Sequence, residues 1–160
     1  MPSDSTQVQF LYLNKGFASV RRGSLGRMVH LSLNVTINAS QKVVYVTFTG
    51  EIKDADLIEI PAATKSHPGF DPSFSEIVDF RAVTGGRVST FAVQTLAQRN
   101  SIYNRGSKHV VIAPQAHVFG LTRMYQVYAR ETRPNMDVVQ TLEEALECLG
   151  LDSGEKSPDR

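Results

Sequence analysis

Glu76-Ile-Val-Asp-Phe80 and His109-Val-Val-Ile-Ala113 decide how this sequence folds. Both are short, β-branched, apolar runs bounded by turn residues. The turn-rich His67-Pro-Gly-Phe-Asp-Pro72 leads into the first, and Pro114 stops the second. Runs of this length without alternation are the mark of strands buried on both faces, which belong to parallel sheets covered by helices. The first run should be the central strand. Between the two, Ser89 to Asn104 places Val93, Leu96, Ala97 and Tyr103 along one side at three- and four-residue spacing, so a helix is expected there, ended by Gly106.

The pattern continues in both directions. Upstream, Leu33 to Ile37 alternates apolar and polar, Val43 to Thr49 is β-branched and aromatic, and the polar Asn38-Ala-Ser-Gln41 between them makes a β-hairpin. Gly50 is expected to close the second strand. Lys53 to Ser66 then carries Ala55, Leu57, Ile58, Ala62 and Ala63 in helical spacing, with Pro61 inside it; a proline there removes a backbone bond and predicts a kink or break near Ile60. Downstream, Ala116 to Glu131 sets Val118, Leu121, Met124, Tyr125, Tyr128 and Ala129 in one stripe. Met136 to Val139 reads as an edge strand, and Thr141-Leu-Glu-Glu144 has capping-box spacing for a last helix through Leu149. The expected fold is a single α/β domain in the order ββαβαβαβα, with a mostly parallel four- to five-stranded sheet packed with helices. It occupies residues 31–151, preceded by a flexible arm at 1–30 and followed by a disordered polar tail at 152–160. Met28, after the arginine-bearing segment, is an alternative start to the chain.

Composition narrows the function classes. A chain of 160 residues suits one core, and 41% hydrophobic with 21% charged residues is ordinary for a globular protein. With 17 Lys+Arg against 16 Asp+Glu the net charge is +1, so no overall field gathers nucleic acid or an anionic membrane. No run of eighteen apolar residues offers a membrane span. The single Cys148 forms no internal disulfide and fits a reducing, cytoplasmic setting. Asn34-Val-Thr36 and Asn38-Ala-Ser40 match the glycosylation triplet, a pattern common by chance. His30, His67, His109 and His117 are scattered without metal-ligand spacing, and no GxSxG, Walker loop or GxGxxG occurs. No metal, cofactor or catalytic set is therefore expected.

The element order, with VDFRAVTG at Val78 to Gly85, APQAHVFGLTRMYQ at Ala113 to Gln126 and TLEEALECLG at Thr141 to Gly150, resembles the SpoIIAA-like or STAS/SEC14 family of small bacterial proteins, over Leu31 to Leu151. The resemblance implies a STAS-like domain, and STAS domains act as binding and regulatory modules. In the more distantly similar anti-sigma-factor antagonists, an Asp-Ser-Ser-Gly loop carries a phosphorylated serine. The matching stretch is Arg87-Val-Ser-Thr90, where Ser89 holds the acceptor position but Arg87, Val88 and Thr90 replace the Asp, the first Ser and the Gly.

Two surfaces stand out. In open α/β sheets ligands bind beyond the carboxyl ends of the strands, and there Arg81, Arg87, Ser89 and Thr90 form a candidate phosphoacceptor or anion site at a helix start. The plainer alternative is that Ser89 or Thr90 caps the helix and the arginines are solvated. Opposite the stripe of the Ala116 helix, Phe119, Arg123, Val127 and Arg130 form a candidate partner surface, the alternative being a singly exposed apolar residue. The leading expectation is a non-enzymatic regulatory module that binds a protein partner or pairs as a homodimer. The second is a carrier of a small apolar or lipid-like ligand between helices and sheet, as the SEC14 side of the resemblance implies. An enzyme would need polar groups converging on Asp79 and His117. A closed core beneath the helices speaks against the carrier; an apolar cavity of several hundred cubic ångströms speaks for it.

Overall fold

The computed structural model describes residues 32–151. The expected arm at 1–30 and tail at 152–160 lie outside the described residues, as does Leu31. Nine elements follow in the expected order: β1 (Leu33–Asn38), β2 (Val43–Lys53), α1 (Asp54–Lys65), β3 (Ser75–Arg87), α2 (Thr90–Gln98), β4 (His109–Ile112), α3 (Ala116–Tyr128), β5 (Met136–Val139) and α4 (Leu142–Leu149). They build an α/β fold on one five-stranded sheet of order β1-β2-β3-β4-β5, with β1 antiparallel to β2 and every other pair parallel. β3 is central and β5 is an edge, as the sequence implies.

The strand order never reverses, and this decides where the helices go. Parallel crossovers are right-handed, so successive crossovers advancing in one direction lay their helices on one face. Accordingly Leu57 and Ile60 of α1, Val93 and Leu96 of α2 and Val118 of α3 pack with Val46, Phe48, Val78, Phe80 and Val111 in one core. The terminal α4 covers the other face, where Ala145 packs against Val43, Ile77, Val110 and Ile112. Its capping box is formed, with the Glu144 amide donating to Thr141 Oγ1 at 3.2 Å and the Thr141 amide donating to Glu144 Oε2 at 3.3 Å. Phe48 and Phe80 stack at 5.0 Å at the centre of the helix-covered face.

Four expectations need correction. Gly50 does not close β2. It takes a left-handed φ of +73° and the strand runs on to Lys53. β3 likewise continues past Phe80 to Arg87, because Val83, Gly85, Gly86 and Arg87 pair with Gly50, Glu51, Ile52 and Lys53; Arg81 and Arg87, expected beyond the end of this strand, therefore lie within it. Two register shifts put one extra β3 residue between Thr47 and Thr49, and another between Gly50 and Glu51. Such bulges bend a strand and release backbone groups. The side-chain amide of Gln115 donates to two of those carbonyls, Phe80 O and Val83 O, at 3.1 Å each.

α1 runs undivided through Pro61. Leu57, Ile60 and Thr64, on both sides of the proline, are all buried, and the Arg99 guanidinium donates to the Ile58 carbonyl one turn back at 3.3 Å. Packing on either side outweighs the local penalty. Conversely, α2 ends at Gln98 rather than near Gly106. The segment that follows is rich in Asn, Ser and Gly, whose side chains offer the backbone other partners. Ser101 Oγ accepts from the Tyr103 amide, and Pro72 O accepts from the Asn104 amide. Tyr103 still reaches the core, but from a loop.

Candidate ligand-binding cavity

Between the sheet and the layer of α1, α2 and α3 lies a cavity of about 330 Å³. Its floor is Val78 and Phe80 of β3 with Val111 of β4; its roof includes Leu57, Ile60, Val93, Leu96, Val118 and Leu121 from the three helices. The β2–β3 extension contributes Ile52, Gly85, Gly86 and Arg87. Gly86, Arg87 and His117 are exposed lining residues, so the cavity reaches the surface at that end, beyond the carboxyl ends of the strands. Close approach of the two strands there requires glycine: Gly86 has a φ of +133°, and a Cβ on it would overlap the Ile52 backbone.

The inner end is polar and nearly dry. Alternation along β3 turns Glu76, Val78 and Phe80 to the helix-covered face, and along β4 it turns His109 and Val111 the same way. Parallel pairing sets Glu76 beside His109 and His109 beside Met136. Glu76 is 7% exposed and His109 3%. One Glu76 oxygen accepts from the Tyr103 hydroxyl at 3.0 Å and the other lies 3.1 Å from His109 Nδ1. Glu76 Oε2 and His109 Nδ1 share one hydrogen bond, whichever of the two carries the proton. Burial first, then the Glu76 charge and hydrogen bond, push the Tyr103 phenol well above its ordinary value, so it stays a neutral donor. Burial likewise raises the Tyr125 phenol.

Arg133 completes this end. It is 6% exposed, lines the cavity, and places its guanidinium 5.6 Å from the centre of the Tyr125 ring. Its side chain donates to Thr132 Oγ1 at 3.2 Å, and among the described residues no carboxylate lies within ion-pair distance of it.

The residues singled out from sequence are distributed otherwise. Arg81 is held by Asp79 through three contacts of 2.8–3.1 Å, which stabilise its charged form and occupy it. Asp79 follows Ile77 on the α4-covered face, whereas His117 lines the cavity, so the two do not converge. Ser89 caps α2: its Oγ accepts from the Ala92 amide at 3.1 Å and donates to Asp54 Oδ2 at 2.7 Å, while its own amide donates to Asp54 Oδ1 at 2.7 Å. A phosphoryl group on Ser89 would meet that carboxylate, and like charges repel. Thr90 is exposed at the first position of α2, and Arg87 stands at the cavity mouth. Arg123 and Val127 of α3 are exposed, as is Arg130, which lies past the end of the helix at Tyr128 rather than on it, but Phe119 is half-buried against the main core and does not project freely. Tyr128, expected in the buried stripe, is 44% exposed and accepts from Gln94 Nε2. Phe91, which the sequence reading passed over, is 75% exposed. Cys148, on α4, is half-buried against the core beneath that helix, and burial raises its thiol.

Sequence reasoning missed Arg133, Tyr103 as a cavity residue, and the Glu76–His109 pair. A signal existed for the pair: each sits at the polar start of an apolar strand, in phase with its inward-facing residues. None existed for Arg133, whose burial depends on how α3 meets β5. The chain matches no protein-family model and no curated protein.

Proposed function

We propose that this domain binds a small, largely apolar molecule in the cavity between its helices and sheet. The observation that carries this reading is the 330 Å³ cavity itself, whose volume falls at the lower end of the roughly 300–1,000 Å³ of small-molecule sites. An apolar wall with a few converging polar groups is the usual composition of such sites. The reading agrees with the SEC14 side of the family resemblance and sets the partner-binding STAS module second. That second reading keeps one supporting feature, the exposed Phe91, Val127 and Tyr128 on α2 and α3. The cavity-lining groups support binding and no reaction: Glu76 is spent on Tyr103 and His109.

Native mass spectrometry of protein purified from its own host, alongside Val111→Phe, tests the proposal. Wild type should retain a small organic molecule, or gain thermal stability with 1-nonanol. The variant fills the floor of the cavity and should remain folded while losing both. Wild type that carries nothing and is indifferent to apolar probes refutes the reading.

A further inference from the structure

We infer that the ligand is a monocarboxylic acid of roughly ten heavy atoms, bound with its carboxylate on Arg133 at the inner end and its hydrocarbon toward Arg87 and His117; this rests on the cavity reading above. The size follows from the 330 Å³ cavity and the roughly 30 Å³ that a water-sized group occupies in a liquid.

Arg133 is 6% exposed and lines the cavity, so little bulk water reaches it, and a buried charge is favoured by a partner that replaces that water. Thr132 Oγ1 supplies one acceptor and the Tyr125 ring supplies weak attraction to the cation. Neither supplies negative charge. Glu76 shares the wall but forms no ion pair with Arg133; its oxygens accept from Tyr103 and face His109. Arg133 is therefore a buried cation on a cavity wall, with its planar fork of donors short of acceptors.

The surroundings select the anion. The guanidinium offers one bidentate seat, and Glu76 in the same wall disfavours any charge beyond the one that seat accepts. A phosphate or a dicarboxylate would bring a second charge against Glu76 in a medium of low polarisability, where repulsion is strong. A carboxylate matches the guanidinium fork in shape, and such pairs are bidentate and short. The apolar residues between Arg133 and the mouth exclude a head group elsewhere along the passage.

Isothermal titration with octanoate and with 1-nonanol, two probes of similar size, tests the orientation in wild type, Arg133→Met and Arg87→Gln. Wild type should prefer octanoate by roughly tenfold or more, the effect of hydrogen bonds to a charged group. Arg133→Met should erase that preference while holding 1-nonanol within about threefold; Arg87→Gln should keep it. Equal binding of the two probes by wild type overturns the inference and leaves the cavity reading intact. Loss of preference in Arg87→Gln with retention in Arg133→Met also overturns it, by placing the carboxylate at the mouth. Should Arg133→Met fail to fold, the wild-type preference and the Arg87→Gln result still decide. Failure of wild type to bind either probe defeats the cavity reading instead.

Discussion

At the scale of single residues, Gly86 and Gly85 make a sharp contrast. Gly86 sits at a φ of +133° with the Ile52 backbone where a Cβ would be, whereas a Cβ on Gly85 meets nothing within 4 Å. Gly86→Ala should therefore cost about 2 kcal/mol or more in urea unfolding, and Gly85→Ala no more than about 0.5 kcal/mol. A conspicuous Gly-Gly pair was visible from the start, but its role was not. In the fold it lets two strands touch beside a cavity mouth. Arg133 makes the same point more strongly. Nothing in Thr132-Arg133-Pro134 distinguishes a solvated arginine from one that is nearly water-free, because its burial comes from the Met136 strand and the α3 helix closing around it.

At the scale of elements, most of the fold was legible because hydrophobic period and punctuation agreed for each strand and helix. The hairpin at Asn38–Gln41, the capping box at Thr141 and the apolar runs of β3 and β4 were all local signals. The departures arose where partners outside the segment decided the outcome. Pro61 stays helical because buried neighbours flank it, and α2 stops early because Ser101, Asn104 and Ser107 find other hydrogen bonds. The junction of α1 and α2 lends itself to measurement. The hydroxyl and amide of Ser89 hold the Asp54 carboxyl below its ordinary value. A carboxyl depressed on folding contributes stability that is present above its unfolded value and is lost as the pH falls through the folded one. Wild type should thus exceed Asp54→Asn in melting temperature at neutral pH, and the gap should close on acidification below the ordinary carboxylate range. A gap independent of pH would refute this account of the junction.

At the scale of the whole molecule, an unreversed strand order accounts for a cavity that lies under the helices and opens beyond the carboxyl ends of the strands. Crevices at the carboxyl ends of strands form where the order of an open sheet reverses, and this sheet has no such point. Its three crossover helices share one face and leave space beneath them, so the cavity runs along the sheet from Glu76 to the mouth at Arg87. Beyond Asp79, β3 has no partner in β4 and holds to β2 alone, through two bulges and two left-handed or glycine-only positions. That ribbon borders the mouth, and a two-stranded ribbon is marginal by itself. Its amides should exchange with deuterium well before those of Val44–Val46 and Val110–Ile112, and ligand should slow them. Uniform protection along β2 would contradict this. The cavity would then fill and empty at the tempo of that fraying parallel ribbon, with the helices as fixed walls, so that release rates and affinities answer to different parts of one chain.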